Sequence, residues 1–322
     1  MRRYPFLILL GSLLIVAVAS LFIGAANLTY SEVVTTLFDG GEHDFIVNQY
    51  RLPRLILAVL VGAGLGLSGA IVQGVIRNPL ASPDLMGISA GAGLFATGLL
   101  VVMPDAPDSY LPLAAVSGGV FAALVIWFIT RLSKPTPARL ALIGISISAF
   151  LGSMIDFLLV VHPIEINTAM IWLTGSLWGR NWDQVPYIIV ALTVLVPAAW
   201  WLAWKLNVMS LGEDNATSLG VSPKRVQVTA LSVAVVLSSV SVSICGTISF
   251  VGLLAPHLSR LIVGHDHKRL LPCAAMVGGL LVLLSDVLAR GIQPPVELPA
   301  GVLTSLIGAP YFIFLLRRYK GW

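Results

Sequence analysis

The segment VQVTALSVAVVLSSVSVSICGTISFVGLLAPHL, Val226–Leu258, carries no Asp, Glu, Lys or Arg. A helix crosses the hydrocarbon core of a bilayer with about 20 mainly apolar residues. This run is too long for one crossing and too apolar to face water. Cys245-Gly246 is the turn that divides it into two spans. Apolar runs of the same kind extend in both directions, bounded by charges and turn residues. They give ten spans, at about 5–26, 54–76, 86–103, 111–132, 139–161, 185–205, 226–244, 247–264, 271–290 and 300–316. The cut at 76–86 rests on Asn78-Pro79 and Ser82-Pro83, because proline removes a donor and restricts the residue before it.

Composition agrees with the count. Of 322 residues, 57% are hydrophobic and 11% charged, with a mean hydropathy of +0.93. A soluble domain of this size needs about a quarter of its residues charged, so water-soluble classes are excluded. The expected fold is all-α: a polytopic membrane protein of about ten transmembrane helices in one domain, residues 1–322. A pI of 9.2 invites a nucleic-acid partner, but the basic residues mark sidedness instead. With ten spans and a cytoplasmic N-terminus, all 19 Lys and Arg fall inside except Arg51, Arg54, Arg180 and Arg290, as the positive-inside rule requires. Arg2-Arg3, an apolar run and Gly24-Ala25-Ala26 resemble a signal peptide. The run is long for one, and its removal would leave nine spans, so the first helix is read as retained.

Little in the chain is chemically reactive. It has no G-x-x-x-x-G-K-[ST] loop and no Gly-Lys pair, so any ATP hydrolysis belongs to another polypeptide and this chain is not itself an enzyme. Cys245 and Cys273 lie in apolar stretches and read as small buried hydrophobes. Gly66-Leu67-Ser68-Gly69 with His257 spells an intramembrane serine protease, or else a small-residue packing face with Gly62 and Gly64. His265-Asp266-His267 reads as a metal site or as a helix cap. Asp156 and Asp286 are intramembrane charges, costly in lipid. They line a polar path or pair with Arg180 or Arg290, Asp286 and Arg290 being four apart on one helix. Ser146, Ser148 and Ser153, and Ser238, Ser239, Ser241 and Ser243, line a pathway or pack helices.

Two inward loops stand out. One is Arg77-Asn78-Pro79-Leu80-Ala81-Ser82-Pro83-Asp84, irregular backbone near the membrane. The other is the connection 206–224, where Asp214 and Asn215 start a short helix that Gly220 ends.

Arg51-Leu52-Pro53-Arg54, Asn78-Pro79-Leu80-Ala81, Gly246-Thr247-Ile248-Ser249-Phe250-Val251-Gly252-Leu253, Pro256-His257-Leu258-Ser259-Arg260, Glu297-Leu298-Pro299-Ala300-Gly301 and Gly308-Ala309-Pro310 together resemble the FecCD family of ABC permeases. Trp172–Arg180 and Pro294–Glu297 are most similar to its ferric citrate branch. The resemblance implies a type II ABC importer permease fold in the bacterial cytoplasmic (inner) membrane, with both termini cytoplasmic. It implies a second permease subunit, identical or paralogous, two ATPase subunits that bind the ATP and Mg, and an extracytoplasmic substrate-binding protein. No cofactor is expected in this chain and no nucleic acid. The cargo implied is an iron(III) chelate, a siderophore or ferric citrate, with haem and vitamin B12 as alternatives.

Site roles follow from the same resemblance. Arg51, Arg54 and Arg290 match arginines that dock the binding protein, interfacial snorkelling being the other reading. Leu211, Gly212, Glu213, Asp214 and Gly220 match the helix that couples to the ATPase. Asn78, Leu80 and Thr136 match the cytoplasmic gate, although Lys134-Pro135-Thr136-Pro137 is richer in proline than a gate should be. The rival from another class is an ion-coupled secondary transporter, which wants paired carboxylates near the midplane.

Overall fold

The computed structural model describes residues 4–107, 109–131, 137–164, 166–294 and 296–318. These residues are helical, with no β-strand among them. Each of the ten expected apolar runs forms a helix: α1 (Tyr4–Phe22), α3 (Leu52–Ile76), α4 (Ile88–Val102), α5 (Tyr110–Arg131), α6 (Pro137–Val161), α8 (Val185–Met209), α10 (Pro223–Cys245), α11 (Val251–Val263), α12 (His267–Gly291) and α13 (Ala300–Arg318). Between them lie three short helices: α2 (Tyr30–Asp39), α7 (Ile166–Leu173) and α9 (Glu213–Ser218). A π-helical turn, Phe45–Arg51, leads into α3.

Seven of the helices are long and apolar enough to cross a bilayer alone, and the apolar stretches Ile88–Val102, Val251–Val263 and Ala300–Leu315 are shorter. The 13 residues of α11 reach about 20 Å, against a hydrocarbon core of about 30 Å. The sequence reading placed a span over 247–264; the helix starts only at Val251, and 246–250 is irregular. Irregular backbone at membrane depth survives only when protein satisfies it. Gly246 N–H donates to Val242 O at 2.8 Å, and the carbonyl of Cys245 accepts from Ser176 N–H at 2.7 Å. The Thr247 hydroxyl donates to Leu173 O.

The axis of the bundle is α3, buried along most of its length and packed against α8, α10, α11 and α12. Its glycines explain why. A methyl group at Gly62 would strike the carbonyl of Gly278, at Gly66 that of Ala274, and at Gly69 that of Gly252. Lipid tails are as apolar as leucine, so helices associate through such close packing rather than a hydrophobic drive. The letters Gly66–Gly69 are therefore packing: buried Ser68 donates to Ala234 O at 2.6 Å, while the ring of His257 meets Tyr311 edge-on. Ser238, Ser239, Ser241 and Ser243 of α10 are buried between helices, whereas Ser146 and Ser153 are exposed on α6. Asp266 caps α12, accepting from Lys268 N–H at 3.1 Å and from Asn207 Nδ2 at 2.6 Å.

Candidate functional site

At one end of the bundle the chain gathers five charged groups that are distant in sequence. The Arg54 side chain, 1% exposed, points inward from the first turn of α3. Its Nε donates to Asp286 Oδ1 at 2.9 Å and its Nη2 lies 2.8 Å from the same oxygen. Its Nη1 donates to Glu297 Oε2 at 2.5 Å and to Tyr50 OH at 2.7 Å, and that hydroxyl donates to Glu297 at 3.1 Å. Asp286, 0% exposed, also faces Arg290, with Nε to Oδ2 at 3.1 Å, too poorly aligned for a hydrogen bond. Arg54, Asp286, Glu297 and Arg290 are tolerable this close because each of these four faces an opposite charge.

Two of the arginines also hold the end of α1. The last carbonyls of a helix lack intrahelical partners and carry the negative end of its dipole. Arg51 donates to Leu21 O and Ala26 O, each at 2.6 Å. Arg290 donates to Ile23 O at 2.9 Å and Ser20 O at 3.3 Å. The Gly24-Ala25-Ala26 stretch that reads as a cleavage signal is thus held by buried Arg51 at Ala26, with Arg290 holding Ser20 and Ile23 just before it.

Above this network opens a recess of about 650 Å³, lined by Tyr50, Arg51, Trp178, Arg180, Arg290 and Glu297 among others. The structure therefore brings Arg51, Arg54 and Arg290 together, as their shared outward placement in the sequence implies, but buries all three. Arg54 is committed to internal partners, while Arg51 and Arg290 form part of the recess wall. Sequence reasoning missed Tyr50, the α1 carbonyls and the ionic role of Glu297; only the i,i+4 spacing of Asp286 and Arg290 was legible.

At the opposite end, α9 projects from the α8–α10 connection. Leu211, Glu213, Asp214 and Leu219 are exposed, and only Ala216 is buried. Gly212 at φ 106 and Gly220 at φ 78 bracket the helix, conformations that favour glycine. The helix begins at Glu213 with no side-chain cap, rather than on an Asp or Asn cap. The loop after α3 lies beside it: Arg77 Nη2 is 3.9 Å from Glu213 Oε1. Asn78 Oδ1 accepts from Leu80 N–H at 2.9 Å, folding the loop on itself. Thr136 lies outside the described residues. Farther along the loop, Asp84 accepts from the Ser89 hydroxyl and the Phe250 N–H, tying α4 to the start of α11. Burial pushes the Asp84 carboxyl above its ordinary value, with those two hydrogen bonds pulling the other way.

Comparison with known proteins identifies the family of the chain. The Fe(3+)-citrate import system permease protein YfmE of Bacillus subtilis is 46% identical over 313 residues, 97% of this chain and 94% of that protein. The Fe(3+) dicitrate transport system permease protein FecD of Escherichia coli is 42% identical over 304 residues, 94% of this chain and 95% of that one. A solved structure described as a metal-chelate type ABC transporter, in an inward-facing conformation, superposes with a TM-score of 0.86 at 32% identity, covering 96% of this chain and 97% of the other. The model of the FecCD transport family matches residues 12–318. This multi-pass membrane chain belongs to the FecCD transport family.

Proposed function

We propose that this chain is the membrane-spanning permease subunit of an ABC importer for an iron(III) chelate, with ferric citrate the cargo to test first. The observation that carries the reading is its 46% identity, over 97% of its length, to an iron–citrate import permease. Permeases of this family hold no ATPase site of their own, so the work comes from partner ATPases that bind ATP and Mg. A second permease subunit completes the pathway. The recess end faces the extracytoplasmic side in this scheme, and both termini face the cytoplasm.

Roles follow from the two ends. An acidic group of the substrate-binding protein seats in the recess beside Arg51 and Arg290, while Arg54 acts from within by holding Asp286 and Glu297. On the inner side α9, with exposed Leu211 and Leu219, enters a groove of the ATPase and transmits its closure as a rigid-body shift. The loop carrying Asn78 and Leu80, which touches α9 through Arg77 and Glu213, passes that shift to the gate. The pathway binds its cargo weakly, since tight binding would trap it.

Uptake of radiolabelled iron(III) citrate by cells lacking this chain is the direct test. Uptake should be lost and should return when the chain is restored. Unchanged iron uptake together with a loss of haem or cobalamin uptake would reassign the cargo. Extraction without any Walker-A ATPase subunit would overturn the ABC reading itself.

A further inference from the structure

The short helix α2 has three different flanks. At about 100° per residue, Val33, Thr36 and Leu37 fall together and pack against the protein, with Val33 and Thr36 buried. Ser31, Thr35 and Asp39 share an exposed polar flank. The third flank is apolar and also exposed: Tyr30 at 72%, Val34 at 44% and Phe38 at 85%. Glu32 is folded back onto the Thr29 N–H, closing a capping box that fixes where the helix begins. The apolar row is thus turned away from the protein and away from the polar flank.

The surroundings say what covers it. Tyr30 stacks on Phe22, the last residue of α1, at 4.1 Å between ring centroids. The row therefore starts at the end of α1, a helix apolar and long enough to cross a bilayer, with exposed Leu7, Leu14 and Val18. Ten residues span about 15 Å, half a bilayer core, so α2 is too short to cross it.

We propose that α2 is an interfacial helix, lying in the leaflet at which α1 ends with Tyr30, Val34 and Phe38 among the lipid chains and Ser31, Thr35 and Asp39 in water. A helix of this kind sinks its apolar side about 5–10 Å below the headgroup boundary. It fixes the height at which the π-helical turn and Arg51 meet the membrane surface.

The test uses the full transporter, reconstituted in phosphatidylethanolamine–phosphatidylglycerol vesicles with nitroxide labels at Val34→Cys, Phe38→Cys and Thr35→Cys. The native Cys245 and Cys273 are buried and stay unlabelled. Power saturation should show labels 34 and 38 favouring oxygen over a water-soluble nickel chelate at least threefold more than label 35 does. A label at Leu14→Cys serves as the membrane reference, so failure of α2 is separable from failure of the membrane placement of α1. Equal nickel accessibility at 34, 35 and 38 overturns the proposal. So does shielding of 34 and 38 that develops only when the binding protein is added, since that would make the row a protein contact.

Discussion

Arg54 and Asp286 are the residues on which the fewest substitutions should be tolerated. Breaking a buried ion pair costs up to about 3–5 kcal/mol, and loss of Arg54 removes the hydrogen-bonded partner of both Asp286 and Glu297, leaving Asp286 only the unaligned Arg290. Arg54→Met is expected to lower the thermal stability of the detergent-solubilised chain by that order; an unchanged midpoint would mean that water reaches Asp286. Arg51 and Arg290 test differently, because they line the recess. Arg51→Gln should weaken association with the binding protein severalfold while ATPase assembly survives, a split readable by pull-down from each side. Asp286 and Arg290 were legible as a pair because four residues of helix place them on one face. Arg54 was not legible as their partner, since nothing local marks a contact made across 232 residues of chain.

Among the elements, α3 and α11 carry the sharpest consequences. Gly62→Val drives a side chain into the backbone of Gly278 and Gly279 and should cost at least about 1–3 kcal/mol through overpacking. Gly11→Ala in α1 meets nothing within 4 Å and should be neutral or stabilising, by up to about 1 kcal/mol. Thermal unfolding of the two variants side by side checks the contrast. The Asp84 link between α4 and α11 separates hydrogen bonding from charge. Asp84→Asn removes the charge that burial disfavours but leaves a single acceptor oxygen, so it should cost less at pH 7 than a substitution that leaves none. Asp84→Ala orphans both donors and should cost about 1–3 kcal/mol. The ten apolar helices were readable because a bilayer demands a run length that few other environments require. The irregular 246–250 was not: Thr247, Ile248 and Phe250 are as apolar or β-branched as a spanning helix allows, and the groups that hold the segment, Val242 O for Gly246 N–H, Leu173 O for the Thr247 hydroxyl and Asp84 for Phe250 N–H, show only in the folded chain. The helix α2 escaped notice although Thr29 and Glu32 spell a capping box, because ten residues are too few to register among runs of twenty.

The whole molecule has a buried, ion-paired network at one end and a short exposed helix, α9, at the other. If α9 is the ATPase contact, Leu211→Asp with Leu219→Asp should leave the permease folded while abolishing co-purification of the ATPase, and iron uptake with it. Retained co-purification would move the contact elsewhere on the inner face. The buried ion network also bears on how the chain is made. Arg54 enters the membrane early, and Asp286 follows 232 residues later. At about 5–20 residues per second of synthesis, that guanidinium waits on the order of tens of seconds for its carboxylate. Through that interval the nascent chain holds an unpaired cation beside lipid, a state for the insertion machinery to shelter. A transcript truncated before codon 286 never leaves that state, and its product should be cleared by membrane proteolysis.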